Sequence, residues 1–233
     1  MFMPFLDPTW ILLIPALIFA LWAQWKVQRT YNRMSQVRAS NGLTGRDMAR
    51  AIMARNGIQD VSIEEVQGVL SDHYDPAAKQ VRLSAPIYEG DSLAAIAVAA
   101  HEVGHVLQHH QGYAPLAIRS AIVPVANFGS TLAFPLFFIG FLFGRGGGVS
   151  HLLMDLGILF FSGAVAFQLV TLPVEFNASR RAMAQLTESG ALAPQEITGA
   201  KQVLDAAALT YVAAAAMAAL QLLRLLILRR SRD

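Results

Sequence analysis

The chain contains no cysteine. That excludes a disulfide framework and any thiolate-bound metal, so a metal would have to be held by histidine and carboxylate. Charge is also scarce. Asp, Glu, Lys and Arg make up 15% of the 233 residues, against 55% hydrophobic, and mean hydropathy is +0.43. This is too apolar for a soluble domain with a polar surface. A net charge of +2, with no stripe of Lys and Arg among aromatics, gives no case for nucleic acid as a partner. Repeats and low-complexity segments are absent as well.

What the chain has instead is long uncharged runs. Pro8 to Trp25, Ser120 to Gly144, Leu156 to Pro173 and Ala206 to Leu223 each approach the ~20 apolar residues needed to cross a bilayer core. The first has neither a basic leader nor a small-residue cleavage site, so it reads as a span and not as a signal peptide. The fourth is Ala-rich and has Arg224 in its natural extension, leaving three or four transmembrane helices. No Lys or Arg precedes the first run, whereas Lys26, Arg29, Arg33 and Arg38 follow it closely. Only Arg145 lies between runs two and three, while Arg180 and Arg181 follow the third. By the positive-inside rule the N-terminus is outside and residues 26–119 and 175–202 are cytoplasmic. A fourth span would put the tail RRSRD outside, against that rule; either this span does not fully cross or the earlier helices dominate.

The expected organisation is an N-terminal span (1–25), a cytoplasmic unit (26–119), a transmembrane hairpin (120–174), a second cytoplasmic segment (175–202) and a fourth apolar segment with a basic tail (203–233). "GRGGG", Gly144 to Gly148, is a connector inside the hairpin. The 26–119 unit reads as α+β. Thr44 with Asp47 three residues later opens a helix that Gly57 closes. "VSIEEV" and "QVRLS" alternate as half-buried strands do, with turn chemistry in "YDPAAK" between them. The second strand reads equally well as a sheet edge that could receive an extended substrate and as an interior strand. Asp91 or Ser92 then caps a helix that ends at Gly112.

Within that helix lies "VAAHEVGHVLQHH", which places four of six histidines in ten residues. His101 and His105, four apart, project from one face and can share one tetrahedral zinc ion. Glu102 is about 100° around the helix, beside such an ion without being forced to ligate it. There a carboxylate can take a proton from activated water. The flanking "AAIAVAA" is apolar, where unpaired His and Glu would be costly to bury.

A catalytic zinc usually has three protein ligands. His109 is eight residues and about 12 Å along the helix from His101, too far to share the ion. Gln111 occupies the position where a metzincin would carry its third histidine, and His151 lies beside the outer connector. The third ligand should therefore be a carboxylate that returns to the cytoplasmic side. Glu175 fits, with Pro173 able to open a new helix and Glu175 in its first turn.

Together, "LWAQWKV", "DHYDP…VRLS", "VAAHEVGHVLQHH", "TLPVEFNASRRA" and "AALTYVAAA" resemble the YugP-type family of bacterial membrane zinc metallopeptidases over nearly the whole chain. The resemblance implies a gluzincin-like enzyme of the bacterial cell membrane, similar to HtpX-like membrane proteases. It implies His101, His105 and Glu175 as ligands of one catalytic zinc and Glu102 as acid/base. Gluzincins often carry an Asp four residues after the ligand Glu to orient a zinc histidine. Here that position is Ser179, so the role passes to a weaker acceptor or to another residue such as Asp205.

The reading is an α-helical integral membrane protein with a small zincin-like α+β cytoplasmic unit that hydrolyses peptide bonds. Its partners are the lipid bilayer and a protein or peptide substrate near the membrane, with no nucleic acid; oligomeric state is not legible. Tyr211, His73, Tyr74 and Arg180 are the candidates for stabilising the oxyanion or binding substrate. Two rival readings remain. A site-2-type intramembrane protease shares the HExGH form but needs its motif inside a span. A non-catalytic scaffold with structural zinc would have no use for Glu102.

Overall fold

The structure, a computed structural model, describes residues 7–68, 71–143 and 148–232. It is mostly helical, with one small three-stranded sheet and four helices long and apolar enough to cross a membrane. The chain divides into two units. One, the membrane unit, comprises Met1–Trp22, Ile118–Leu172 and Thr210–Asp233; the other, the site unit, comprises Ala23–Ala117 and Pro173–Leu209.

Four long helices supply the membrane unit. A 3-10 turn (Pro8–Leu13) capped by Asp7 leads into α1 (Ile14–Met34). The other three are α5 (Ala114–Phe143), α6 (Gly148–Glu188) and α7 (Pro194–Arg230). Gly144 to Gly147 of the expected connector, with Arg145, lie outside the described residues; Gly148 opens α6. Within this unit α5 and α6 approach through small residues. A Cβ on Gly140 would fall 2.6 Å from the Ser150 carbonyl, and one on Gly157 2.7 Å from that of Ala133. Such backbone approach suits helices that cannot gain hydrophobic energy from each other in lipid. Ala133, Phe137, Met154 and Leu225 fill the interior, while Leu21, Val125, Phe128 and Leu159 point outward. An exposed apolar surface of this kind marks contact with a membrane.

Arg224 is a charged residue in this largely apolar interior, 2% exposed. Its guanidinium pairs with Asp7 at 2.6 Å, donates to Thr9 Oγ1 at 3.0 Å and lies 4.2 Å over the Trp10 ring. Arg229 pairs with Asp155 at 2.7 Å. Both of these arginines, Arg224 and Arg229, are therefore paired with acids within the unit. By length and composition α7 is a candidate span.

The site unit is built around a buried helix, Leu93–His110, whose first half is rich in alanine. α2 (Gly45–Arg55) opens with the capping box of Thr44 and Asp47, and Gly57 follows it with φ +71°. Met48, Ala49, Ile52 and Met53 are its buried face. β1 (Ser62–Val66) pairs in parallel with β3 (Gln80–Ser84), and β2 (His73–Asp75) pairs with β3 antiparallel. The order β1-β3-β2 makes "QVRLS" the interior strand, with Val81 and Leu83 fully buried. β2 takes Tyr74 and Asp75 out of the stretch read as a turn. Asp75 Oδ1 nonetheless accepts from the N–H groups of Ala77 and Ala78, each at 3.0 Å, as the turn chemistry requires.

A short helix α3 (Ala85–Tyr88) precedes α4 (Leu93–His110), where Ser92 Oγ caps the start by accepting from Ala95 N–H. Ala94, Ala95, Ile96, Ala97, Ala99 and Ala100 are fully buried. One expectation is corrected here. Pro173 does not begin a helix; it lies inside the 41-residue α6, so Glu175 is held mid-helix and not in a first turn. A proline there leaves one carbonyl of the preceding turn unbonded and clashes with it, a local perturbation that the long helix absorbs.

Candidate metal centre

Because α4 is wrapped by apolar neighbours, polar groups on it must find partners or a ligand. His101 and His105 lie one turn apart, with ring centroids separated by 5.0 Å and planes at 86°. Both turn Nε2 toward one oxygen. Glu175 Oε2 lies 3.1 Å from His101 Nε2 and 3.6 Å from His105 Nε2. Glu175 is 3% exposed and His105 8%. The donor atoms of His101, His105 and Glu175 all lie within 4.8 Å of one another, so the three could hold a metal ion. Ligands of a tetrahedral zinc at about 2.0–2.1 Å stand roughly 3.3 Å apart, so the spacing fits without a change of helix position. Two imidazoles and a carboxylate, with no thiolate, also form the donor set of a hydrolytic zinc site.

Gly104, inside the HEVGH motif, explains how Glu175 arrives. A Cβ there would fall 2.4 Å from the carbonyl of Ala178, so α4 and α6 meet backbone to backbone three residues from the carboxylate. Electrostatics point the same way. Burial opposes a charged His105, but the hydrogen bond to Glu175 and the nearby Glu102 and Glu175 carboxylates outweigh it and raise its pKa. The pocket favours positive charge.

Glu102 is buried on α4, and among the described residues its carboxylate has no hydrogen bond. Ser179 Oγ lies 3.1 Å from His101 Nδ1, whereas Asp205 forms an exposed pair with Lys201 at 2.6 Å. Of the two candidates for orienting a histidine, Ser179 is the one that touches it. The other candidates are Tyr74, His73, Arg180 and Tyr211. Tyr74 OH is 2.7 Å from His109 Nδ1, and burial, with Asp60 and Asp75 nearby, pushes its phenol up to about 12. His73 is exposed, its Nδ1 2.8 Å from the Ser71 carbonyl. Arg180 is exposed on α6, and Tyr211 is half-buried on the part of α7 in the membrane unit. His109 is exposed and is not part of the cluster.

Gln108 was missed by sequence reading although it is fully buried. Its Oε1 accepts from His105 Nδ1 at 2.9 Å, and its Nε2 donates to the Val174 carbonyl at 2.7 Å and to Asn177 Oδ1 at 3.0 Å. Its position three residues after His105 places it on the same helical face, which is the signal that could have found it.

Helices long enough to cross a membrane and a buried His–His–Glu cluster that could hold a metal ion, beside a second carboxylate, fit the class of membrane metallohydrolases. Residues 9–230 match the family described as "Putative neutral zinc metallopeptidase", and the chain belongs to that family. It is similar to the "Putative membrane protease YugP" of Bacillus subtilis (strain 168), with 51% identity over 213 residues, covering 91% of this chain and 92% of the relative. No solved structure matches the chain.

Proposed function

We propose that the chain is a gluzincin-type endopeptidase of the bacterial cell membrane that cleaves membrane-proximal proteins on the cytoplasmic side. His101, His105 and Glu175 are its zinc ligands. The observation that carries this reading is the convergence of two imidazole Nε2 atoms on one buried carboxylate, with Glu102 one residue from His101. A zinc ion bound there supplies Lewis acidity and lowers the pKa of a water toward about 7. Glu102, buried and without a hydrogen-bond partner among the described residues, takes the water's proton and returns it to the leaving amine. Ser179 holds the outer nitrogen of His101. Tyr74 keeps its proton at neutral pH and so remains a donor; His73, Arg180 and Tyr211 are the other candidates for the oxyanion. The proposed boundaries remain 26–119 and 175–202 for the cytoplasmic parts, with spans in 1–25, 120–174 and 203–233.

A site-2 protease would carry its HExxH helix within the bilayer, but α4 is not among the candidate spans. A structural zinc site would have no use for a carboxylate at Glu102 beside the ion. The test uses full-length protein, purified in detergent, with zinc content and casein cleavage measured together. Glu102→Gln should keep zinc and lose cleavage, and Glu175→Ala should lose zinc. Cleavage surviving in Glu102→Gln overturns the mechanism, and full zinc in Glu175→Ala overturns the ligand set. Because the chain lacks cysteine, a single Glu65→Cys probe reports sidedness: labelling of intact spheroplasts by an impermeant maleimide would place the site unit outside.

A further inference from the structure

Gln108 is a fully buried amide that the proposed chemistry leaves unused. Its neighbours fix which way round it sits. Asn177 Oδ1 lies 2.6 Å from Arg181 Nε, and a guanidinium only donates, so the Asn177 atom facing it is the oxygen. Arg181 is itself steadied by Gln111 Oε1 and by the Tyr113 ring, 5.8 Å from its guanidinium carbon. Two acceptors, Asn177 Oδ1 and the Val174 carbonyl, then face Gln108, and both require its NH2 group. Only the Gln108 carbonyl oxygen is left for His105. That oxygen only accepts, so His105 Nδ1 must carry the ring proton, and the Nε2 lone pair is directed at the Glu175 side.

We infer that Arg181, Asn177 and Gln108 form a positioning chain that fixes the tautomer of His105 and ties that ligand to the turn of α6 bearing Glu175. The inference rests on the reading of His105 and Glu175 as zinc ligands. Val174 immediately precedes Glu175 and Asn177 follows it by two, so one amide clamps both ligands from two helices. His101 is treated differently. Its Nδ1 faces the Ser179 hydroxyl, which can donate or accept, so that contact alone leaves the tautomer open.

The test compares Gln108→Met, of similar length but unable to hydrogen-bond, with Gln108→Glu, which keeps an acceptor toward Nδ1. Zinc affinity is read by chelator competition on full-length protein in detergent. Gln108→Met should raise the zinc dissociation constant roughly 10–100-fold, and Gln108→Glu should recover part of that loss. Arg181→Met, at the outer end of the chain, should produce a smaller loss and carries the test if Gln108→Met does not fold. In metal-free protein labelled with 15N-histidine, at a pH alkaline enough for the ring to be neutral, His105 should show Nδ1–H in wild type and a mixture of tautomers in Gln108→Met or Arg181→Met. Zinc affinity within about twofold of wild type and an unchanged tautomer in these variants, while Glu175→Ala loses zinc, overturns this inference alone. Undiminished zinc binding in Glu175→Ala overturns the ligand set and the inference with it.

Discussion

In the membrane unit the buried carboxylate of Asp7 meets a guanidinium at 2.6 Å, whereas in the site unit the buried carboxylate of Glu175 meets two imidazoles at 3.1 and 3.6 Å. A guanidinium does not give up its proton, so the first pair is electrically complete and can only hold structure. Imidazoles can be neutral, so the second cluster can exchange protons for a metal ion. Close glycine contacts occur in both units, and in the site unit Gly45 meets the Ile87 carbonyl away from the cluster. Gly140 and Gly157 bring α5 and α6 together inside the membrane unit, and Gly104 brings α4 and α6 together where a ligand stands. Buried charge and backbone contact thus hold the membrane unit together, and in the site unit they also shape the candidate metal centre.

This contrast breaks most directly at Asp7. Asp7→Ala strands Arg224 and should cost about 3–5 kcal/mol, since removal of one partner leaves an uncompensated buried charge. Thermal melting in detergent checks this, and zinc stoichiometry of the protein that stays folded should be unchanged. Loss of zinc binding would show that Asp7 is not confined to holding structure. Next comes Gly104→Ala, which inserts a methyl where a carbonyl stands 2.4 Å away. Overpacking of about 1–3 kcal/mol is expected, together with a measurable fall in zinc affinity. Gly157→Ala, equally crowded, should lower the melting temperature and leave zinc affinity alone; equal effects on zinc would erase the distinction.

Smaller effects belong to the water-facing side of the site unit. Thr44→Ala removes the cap of α2 and should cost about 1 kcal/mol by chemical denaturation. Hydrogen bonding to Thr44 holds the Asp47 pKa below its ordinary value. Its contribution is therefore present above the unfolded pKa near ~4 and lost as pH falls through the lower folded value, so the gap between wild type and Thr44→Ala should narrow in acid. The smallest change is expected from Tyr74→Phe. Because the folded state pushes the Tyr74 phenol up to about 12, this contribution is full below the ordinary phenol value near ~10 and is lost as pH rises from there to about 12. Wild type should lose stability over that alkaline window more than Tyr74→Phe does.

The sequence made some of this legible and hid the rest for physical reasons. Helical periodicity alone puts His101 and His105 on one face, and the capping box of α2 and the cap of α4 sit where the residue types indicate. Glu175 was reached by asking where a third ligand could return. Its presentation was misjudged because Pro173, a helix opener in water, is carried inside a long helix here. β2 is three residues long, too short for alternation to show, and its absence from the reading hid the interior place of β3. Gly104, Gln108 and Asn177 act through contacts across 66 to 74 positions of chain, which no local pattern records. Arg224 looked like an obstacle to a fourth span because its partner, Asp7, lies 217 residues away.

The order of the ligands along the chain also has a consequence for synthesis. On the proposed ligand set, His101 leaves the ribosome 74 residues ahead of Glu175, with all of α5 and about two thirds of α6 still to be made. A nascent or truncated chain would therefore carry the base and two imidazoles without the third donor. Hydrolytic competence would arrive only after the apolar hairpin had been translated, so the order of assembly would itself delay premature cleavage.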